Sequence, residues 1–218
     1  MRMKEDLFSK AHAALMDPFL PPEAARTRVD SWLELRIKSI WAPTGLLCDL
    51  KPEDYKAVAF TGVVGFPAGT STLSTKRMEL LECVRLGAKA AAVVLTPGLV
   101  ASAEGSSLAR EMSAILGTAR DLEIHFLVEA SRLDDRSLVL LSRLLREYRP
   151  HGIVTGCGLL APPAPPSVVK KIRSGVTRKV RIIAGADVLD PAEARAHLDA
   201  GAAGYLTTKP ELFRSPVE

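Results

Sequence analysis

Residues 61–95 read "TGVVGFPAGTSTLSTKRMELLECVRLGAKAAAVVL". The stretch opens on a short apolar run and turns through Gly65, Pro67 and Gly69. A Ser/Thr-rich segment then leads into a helix-like stretch. Gly87 follows, and the stretch closes on "KAAAVVL", an apolar run with no side chain able to do chemistry past its lysine. The helical part, "STKRMELLECVRL", places Met78, Leu81, Val84 and Leu86 on or near one face, the face expected to be buried. A strand, a helix and a second buried strand in succession form one βαβ unit.

The same joint recurs. "RLGAKAAAVVL" (85–95), "RPHGIVTG" (149–156) and "DAGAAGYLTT" (199–208) each follow a helix-like stretch, place a Gly where that helix should end, and run into a short apolar strand. Glycine suits the position after a helix because it takes positive φ without a Cβ clash. Further strands are expected near residues 15, 40, 61, 126 and 182, from "ALM", "IKSIWA", "VAFTGVVGF", "IHFLVE" and "VRIIAG". "DDRSLVLLSRLLREY" is amphipathic through Leu138, Leu141 and Leu145, and Asp190 stands as an N-cap before Pro191. Eight strands alternating with helices predict a single-domain (β/α)8 barrel over residues 1–218, with an open doubly wound sheet as the second choice. The proline-rich "LLAPPAPPSVVKK" reads as a stiff connection into a helix starting near Ser167.

Composition narrows the class. The 218 residues are 47% hydrophobic, enough for one sizeable core. Lys plus Arg number 29 against 25 acids, and the sequence has no basic block with interleaved aromatics, so no nucleic-acid partner is expected. The three cysteines, Cys48, Cys83 and Cys157, form no CxxC pair, which fits reduced thiols in a cytoplasm. Charges interrupt the N-terminal segment where a signal peptide needs its apolar run. The longest apolar stretch is broken by Pro97, so no membrane segment is expected.

The run "VVGFPAGTSTLSTKRMELLECVRLGA" resembles the deoxyribose-phosphate aldolase family. Gly65, Phe66, Pro67, Gly69, Lys76, Glu79, Glu82, Leu86, Gly87 and Ala88 fit that family's pattern without a gap. Weaker similarity covers "LMDPFLPPEAA", "FLVEASRLDD" and "AEARAHLDAGAAGYLTT". The resemblance implies Schiff-base chemistry: a strand lysine attacks an aldehyde, a second lysine lowers its pKa, and an Asp relays protons. It also places those three groups, in this sequence, at Val154, Ile183 and Ala92, with Ile40 as a further inward position. None of these can form an imine or move a proton. The expected catalytic set is therefore empty, and no metal or cofactor is expected.

The family's phosphate site uses amides of the loops after the last strands. Here the corresponding candidates are Gly156, Gly158, Gly185, Thr207, Thr208 and Lys209. The family's Gly-Gly is replaced by Ala186-Asp187, and a carboxylate there opposes phosphate. Lys209 is the one lysine expected at the catalytic mouth. Cys157 is expected to be an inert buried thiol, His125 an interior or rim histidine, Asp17 a local turn acid, and Glu129 an acceptor for loop amides. His12, His151 and His197 have no partners at metal spacing. The first expectation is a non-catalytic binding, scaffolding or regulatory barrel, a pseudoenzyme working through protein contact or self-association and binding phosphosugars weakly. The alternative is a carbon–carbon lyase of aldolase type, acting on a phosphorylated sugar or aldehyde with a site rebuilt around Lys209, Asp187 and Glu129.

Overall fold

The computed structural model describes residues 7–185 and 187–214. The N-terminal charges and Ala186 lie outside the described residues. Eight strands run β1 Ala11–Ala14, β2 Ser39–Pro43, β3 Ala59–Val64, β4 Ala90–Val94, β5 Glu123–Leu127, β6 Gly152–Val154, β7 Arg181–Ala184 and β8 Gly204–Thr207. They pair in parallel and in chain order, and β8 closes on β1. The helices are α1 Pro22–Glu34, α2 Thr44–Leu50, α3 Leu73–Arg85, α4 Pro97–Ala101, α5 Gly105–Thr118, α6 Asp135–Tyr148, α7 Pro166–Gly175 and α8 Pro191–Asp199. The predicted (β/α)8 barrel is therefore the observed fold. No helix among the described residues is long and apolar enough to cross a membrane.

Local chemistry explains the joints. Asp190 caps α8 by accepting from the Ala192 amide at 3.0 Å, and Asp134 caps α6 by accepting from the Ser137 amide at 2.8 Å. Gly87 and Gly201 take the positive φ expected after α3 and α8. Gly152 does not: Arg149 is the left-handed cap of α6, and Gly152 lies inside β6. The reason for that glycine is space. A Cβ on it would lie 2.5 Å from the imidazole Nδ1 of His125.

Alternation along each strand sends one set of residues to the helix layer and the other to the barrel axis. The outer set, including Ala13, Ile40, Phe60, Ala91, Ile153 and Ile182, packs with the apolar helix faces. The inner set is Ala14, Met16, Trp41, Val63, Ala92, Val94, Leu127, Val154, Ile183 and Leu206, with Cys157 beside them. Ile40, expected to point inward, faces the helices; its neighbour Trp41 takes the axis. The registers Ala13–Ile40 and Ala14–Trp41 set that parity.

A second correction concerns α3. Met78, Leu81 and Val84 are exposed, at 68%, 46% and 41%, whereas Lys76, Leu80 and Cys83 are buried. Only Leu86 of the expected face is inside. The helix turns a lysine inward because Glu111 of α5 meets it there: Lys76 Nζ lies 2.7 Å from Glu111 Oε1. Ion pairing is what makes such burial tolerable.

The N-terminal end of the barrel holds an aromatic and polar layer. Trp41 makes edge contacts with His12 and His125, with ring centroids 5.7 and 5.4 Å apart. Gly152 and Gly204 leave the room, since a Cβ on Gly204 would lie 2.8 Å from His12 Nε2. Arg181 pairs with Glu123 and lies 3.4 Å from His125 Nε2. Burial, reinforced by Arg181, pushes His12 down to about 4 and His125 down to about 3.

Candidate functional site

In a (β/α)8 barrel, chemistry belongs at the C-terminal ends of the strands. The "GFPAG" segment stands there, between β3 and α3. Its chain takes left-handed conformations at Gly65 and Gly69, with φ of 71° and 67°. A Cβ on Gly69 would meet the Leu95 carbonyl at 2.7 Å, so this loop lies directly on the end of β4. The Gly65 amide donates to Glu79 Oε2 at 2.8 Å, and Thr72 caps α3 through the Thr75 amide. Lys76 donates to Thr96 Oγ1 as well as to Glu111, whose Oε2 accepts from the Thr96 amide at 3.2 Å. The polar side chains that carry the motif thus clamp the β3 and β4 loops to α3 and α5. None is aimed at the axis.

The axis itself is filled. Ala92, Leu127 and Val154 are fully buried, and Ile183, Leu206 and Val94 each retain 2% exposure. Met16 and Val63 belong to the same cluster, and Phe66 packs against it. The positions Ala92, Val154 and Ile183 are all apolar, and Cys157 brings a thiol beside them. That thiol is pushed up to about 11, by burial first and then by the Glu129 carboxylate, which makes it an inert group at neutral pH. Asp17 accepts from the Phe19 amide in its own turn, as expected of a local acid. Glu129 accepts from the Cys157 amide at 3.0 Å, also as expected.

Among the candidate anion-binding residues, Gly185, Thr208 and Lys209 have backbone amides that face protein acceptors. Gly185 N donates to Thr155 Oγ1 at 2.9 Å, and a Cβ there would lie 2.1 Å from the Gly156 carbonyl oxygen. The Thr208 amide and hydroxyl both donate to Asp187, at 2.6 and 2.7 Å. Lys209 N donates to Thr207 Oγ1 at 3.1 Å. Gly158 has a positive φ of 84° in the turn after β6. Asp187 thus holds both donors of Thr208. Lys209, expected at the mouth, lines an outer groove with Thr27, Arg28 and Trp32 of α1. It stands outside the axis because the chain turns away after β8 into the Pro210–Phe213 turn.

Beside the filled axis a cavity of about 410 Å³ opens between the loops after β3, β4 and β5 and the tip of the loop after β6. Its wall is apolar, through Pro67, Val94, Val100, Val128, Leu133 and Leu160 among others. Two charged residues line it, Glu129 and Arg132. Arg132 escaped the sequence reading, although it stands three residues after Glu129 in the quoted "VEASR". Nothing in the sequence says that the cavity lies there. The histidines form no metal cluster among the described residues.

No family model matches the chain. A deoxyribose-phosphate aldolase of Staphylococcus haemolyticus is 24% identical over 188 residues, covering 84% of this chain and 86% of the relative. Two solved structures superpose closely. An aldolase described as QR15 has a TM-score of 0.87 and 22% identity, over 95% of this chain and 93% of that one. The tetrameric deoxyribose phosphate aldolase of Aeropyrum pernix gives 0.87 and 22%, over 98% and 91%. The barrel order, the clamped "GFPAG" loop and these likenesses lead to one assignment: the chain is a deoxyribose-phosphate aldolase-like (β/α)8 barrel.

Proposed function

We propose that this barrel does not run the Schiff-base reaction and acts instead as a binding or scaffolding protein. One observation carries this: the cluster that fills the axis at the C-terminal ends of the strands, from Ala92 and Val94 through Leu127, Val154 and Ile183 to Leu206, contains no amine. An imine needs a neutral amine beside an aldehyde, with an acid and a base in reach. Lys76 is fully buried in its ion pair, and Lys209 lines the outer groove. The engagement of the Thr208 donors by Asp187 further supports weak phosphosugar binding. A tetrameric relative supports self-association as the form of protein contact. The apolar stripe of Met78, Leu81 and Val84 on α3 is one exposed surface it could use. The protein is taken to act as one domain in the cytoplasm.

The comparisons favour the second reading, an aldolase acting on a phosphorylated sugar or aldehyde, because the relatives carry that name over most of their length. Borohydride reduction in the presence of deoxyribose 5-phosphate or acetaldehyde separates the two. The expected result is no adduct on the intact protein by mass spectrometry. An adduct mapped by digestion to any lysine, together with retro-aldol turnover, establishes the aldolase.

A further inference from the structure

We infer that the cavity beside the axis is a binding site for a free apolar α-amino acid, of leucine or phenylalanine size. Glu129 caps a single turn of 3-10 helix, Ala130–Arg132, and the Arg132 amide donates to the Glu129 carbonyl at 3.0 Å. Glu129 and Arg132 stand at the two ends of this turn, and both line the cavity. They form no ion pair with each other, and Arg132 has no carboxylate partner among the described residues. Glu129 accepts from the Cys157 amide at 3.0 Å and from the Cys157 thiol, and its carboxylate has no cationic partner among the described residues.

An opposite pair held apart over an apolar wall selects its ligand by charge. A simple carboxylate would be attracted by Arg132 and repelled by Glu129, and an amine would meet the reverse. A zwitterion satisfies both, with its carboxylate on the guanidinium fork and its ammonium on the Glu129 carboxylate. The remaining wall, Val100, Val128, Leu133 and Leu160 with Pro67 and Pro97, suits an aliphatic or aromatic side chain. The volume, about 410 Å³, falls in the range of small-ligand pockets. This inference rests on the non-catalytic reading only in taking this cavity, and not the axis, as the working surface. Borohydride trapping tests that reading and does not touch this one.

The test is calorimetric titration of the full chain with L-leucine and L-phenylalanine, beside glycine, N-acetyl-L-leucine and L-leucinamide. The same titrations are run on Arg132→Gln, an exposed position whose change leaves the fold intact. Leucine or phenylalanine should bind. Acetylation and amidation should each weaken binding at least about tenfold, since each removes one charge-assisted contact. Glycine should bind no better than the blocked forms. In Arg132→Gln, leucine and leucinamide should become equal. Absence of binding by both amino acids overturns the proposal. So does binding that ignores the blocking groups, or binding by the variant that still prefers leucine to leucinamide.

Discussion

Acid should destabilise this barrel well before its carboxylates titrate, and the cause is the imidazole layer under the axis. His12 and His125 stay neutral in the folded protein down to about 4 and about 3, because burial and the Arg181 guanidinium disfavour their charge. Trp41 covers both rings, Glu123 holds Arg181, and His151 adds to the repulsion at His125. In the unfolded chain the same rings take a proton near pH 6.5. Between these values the unfolded state binds more protons, so stability is full above the unfolded pKa and falls as pH drops. From pH 8 to pH 5 each ring contributes a loss of about 2 kcal/mol, or about 4 kcal/mol together. For a chain of this length that is roughly 8–16 °C in Tm. Burial lowers His197 too, which adds in the same direction. The assay is thermal unfolding by circular dichroism at pH 8, 7, 6 and 5, on the natural chain and on His12→Gln with His125→Gln. The natural chain should show the steep loss, and the double variant should lose most of the slope whatever its absolute Tm. Ring nitrogen shifts in NMR should show both imidazoles neutral at pH 5. A Tm that is flat from pH 8 to 5, or a slope unchanged in the double variant, refutes the placement of these rings.

Three further outcomes follow from the same packing. Lys76→Met should cost about 3–5 kcal/mol in urea unfolding, because it strands Glu111, whereas adding Glu111→Leu should recover much of that loss; equal losses in the single and double variants would show that the pair is not the cause. Val154→Lys should lower stability by several kcal/mol and give no useful aldol turnover, since one buried amine has neither an acid nor a second lysine beside it; an unchanged Tm with robust turnover would mean that Val154 does not face the axis. Asp187→Ala frees the Thr208 amide and hydroxyl, so phosphosugar affinity by titration should rise about threefold to tenfold, discounted for exposure; no rise would remove Asp187 as the opposing group.

The barrel was legible in the sequence because its causes are local. Apolar runs of strand length, amphipathic helices and glycines such as Gly87 and Gly201 repeat in order, and each acts within a few residues. The apolar identity of Ala92, Val154 and Ile183 was equally readable, since parity along a strand follows from counting. Counting failed at β2, where Ile40 and Trp41 are both apolar and only the pairing with Ala13 and Ala14 decides which enters the axis. It failed on α3 for a different reason: hydrophobic periodicity cannot see that Glu111, far along the chain, stands ready to receive Lys76. Lys209 and Arg132 show the same limit at the mouth. Where a loop side chain lands depends on how the neighbouring loops pack, and that is a property of the closed barrel rather than of any segment in it. Sequence determined the layers and the chemistry missing from the axis; the tertiary structure alone decided which charges were paired, which were left open, and where the cavity lies.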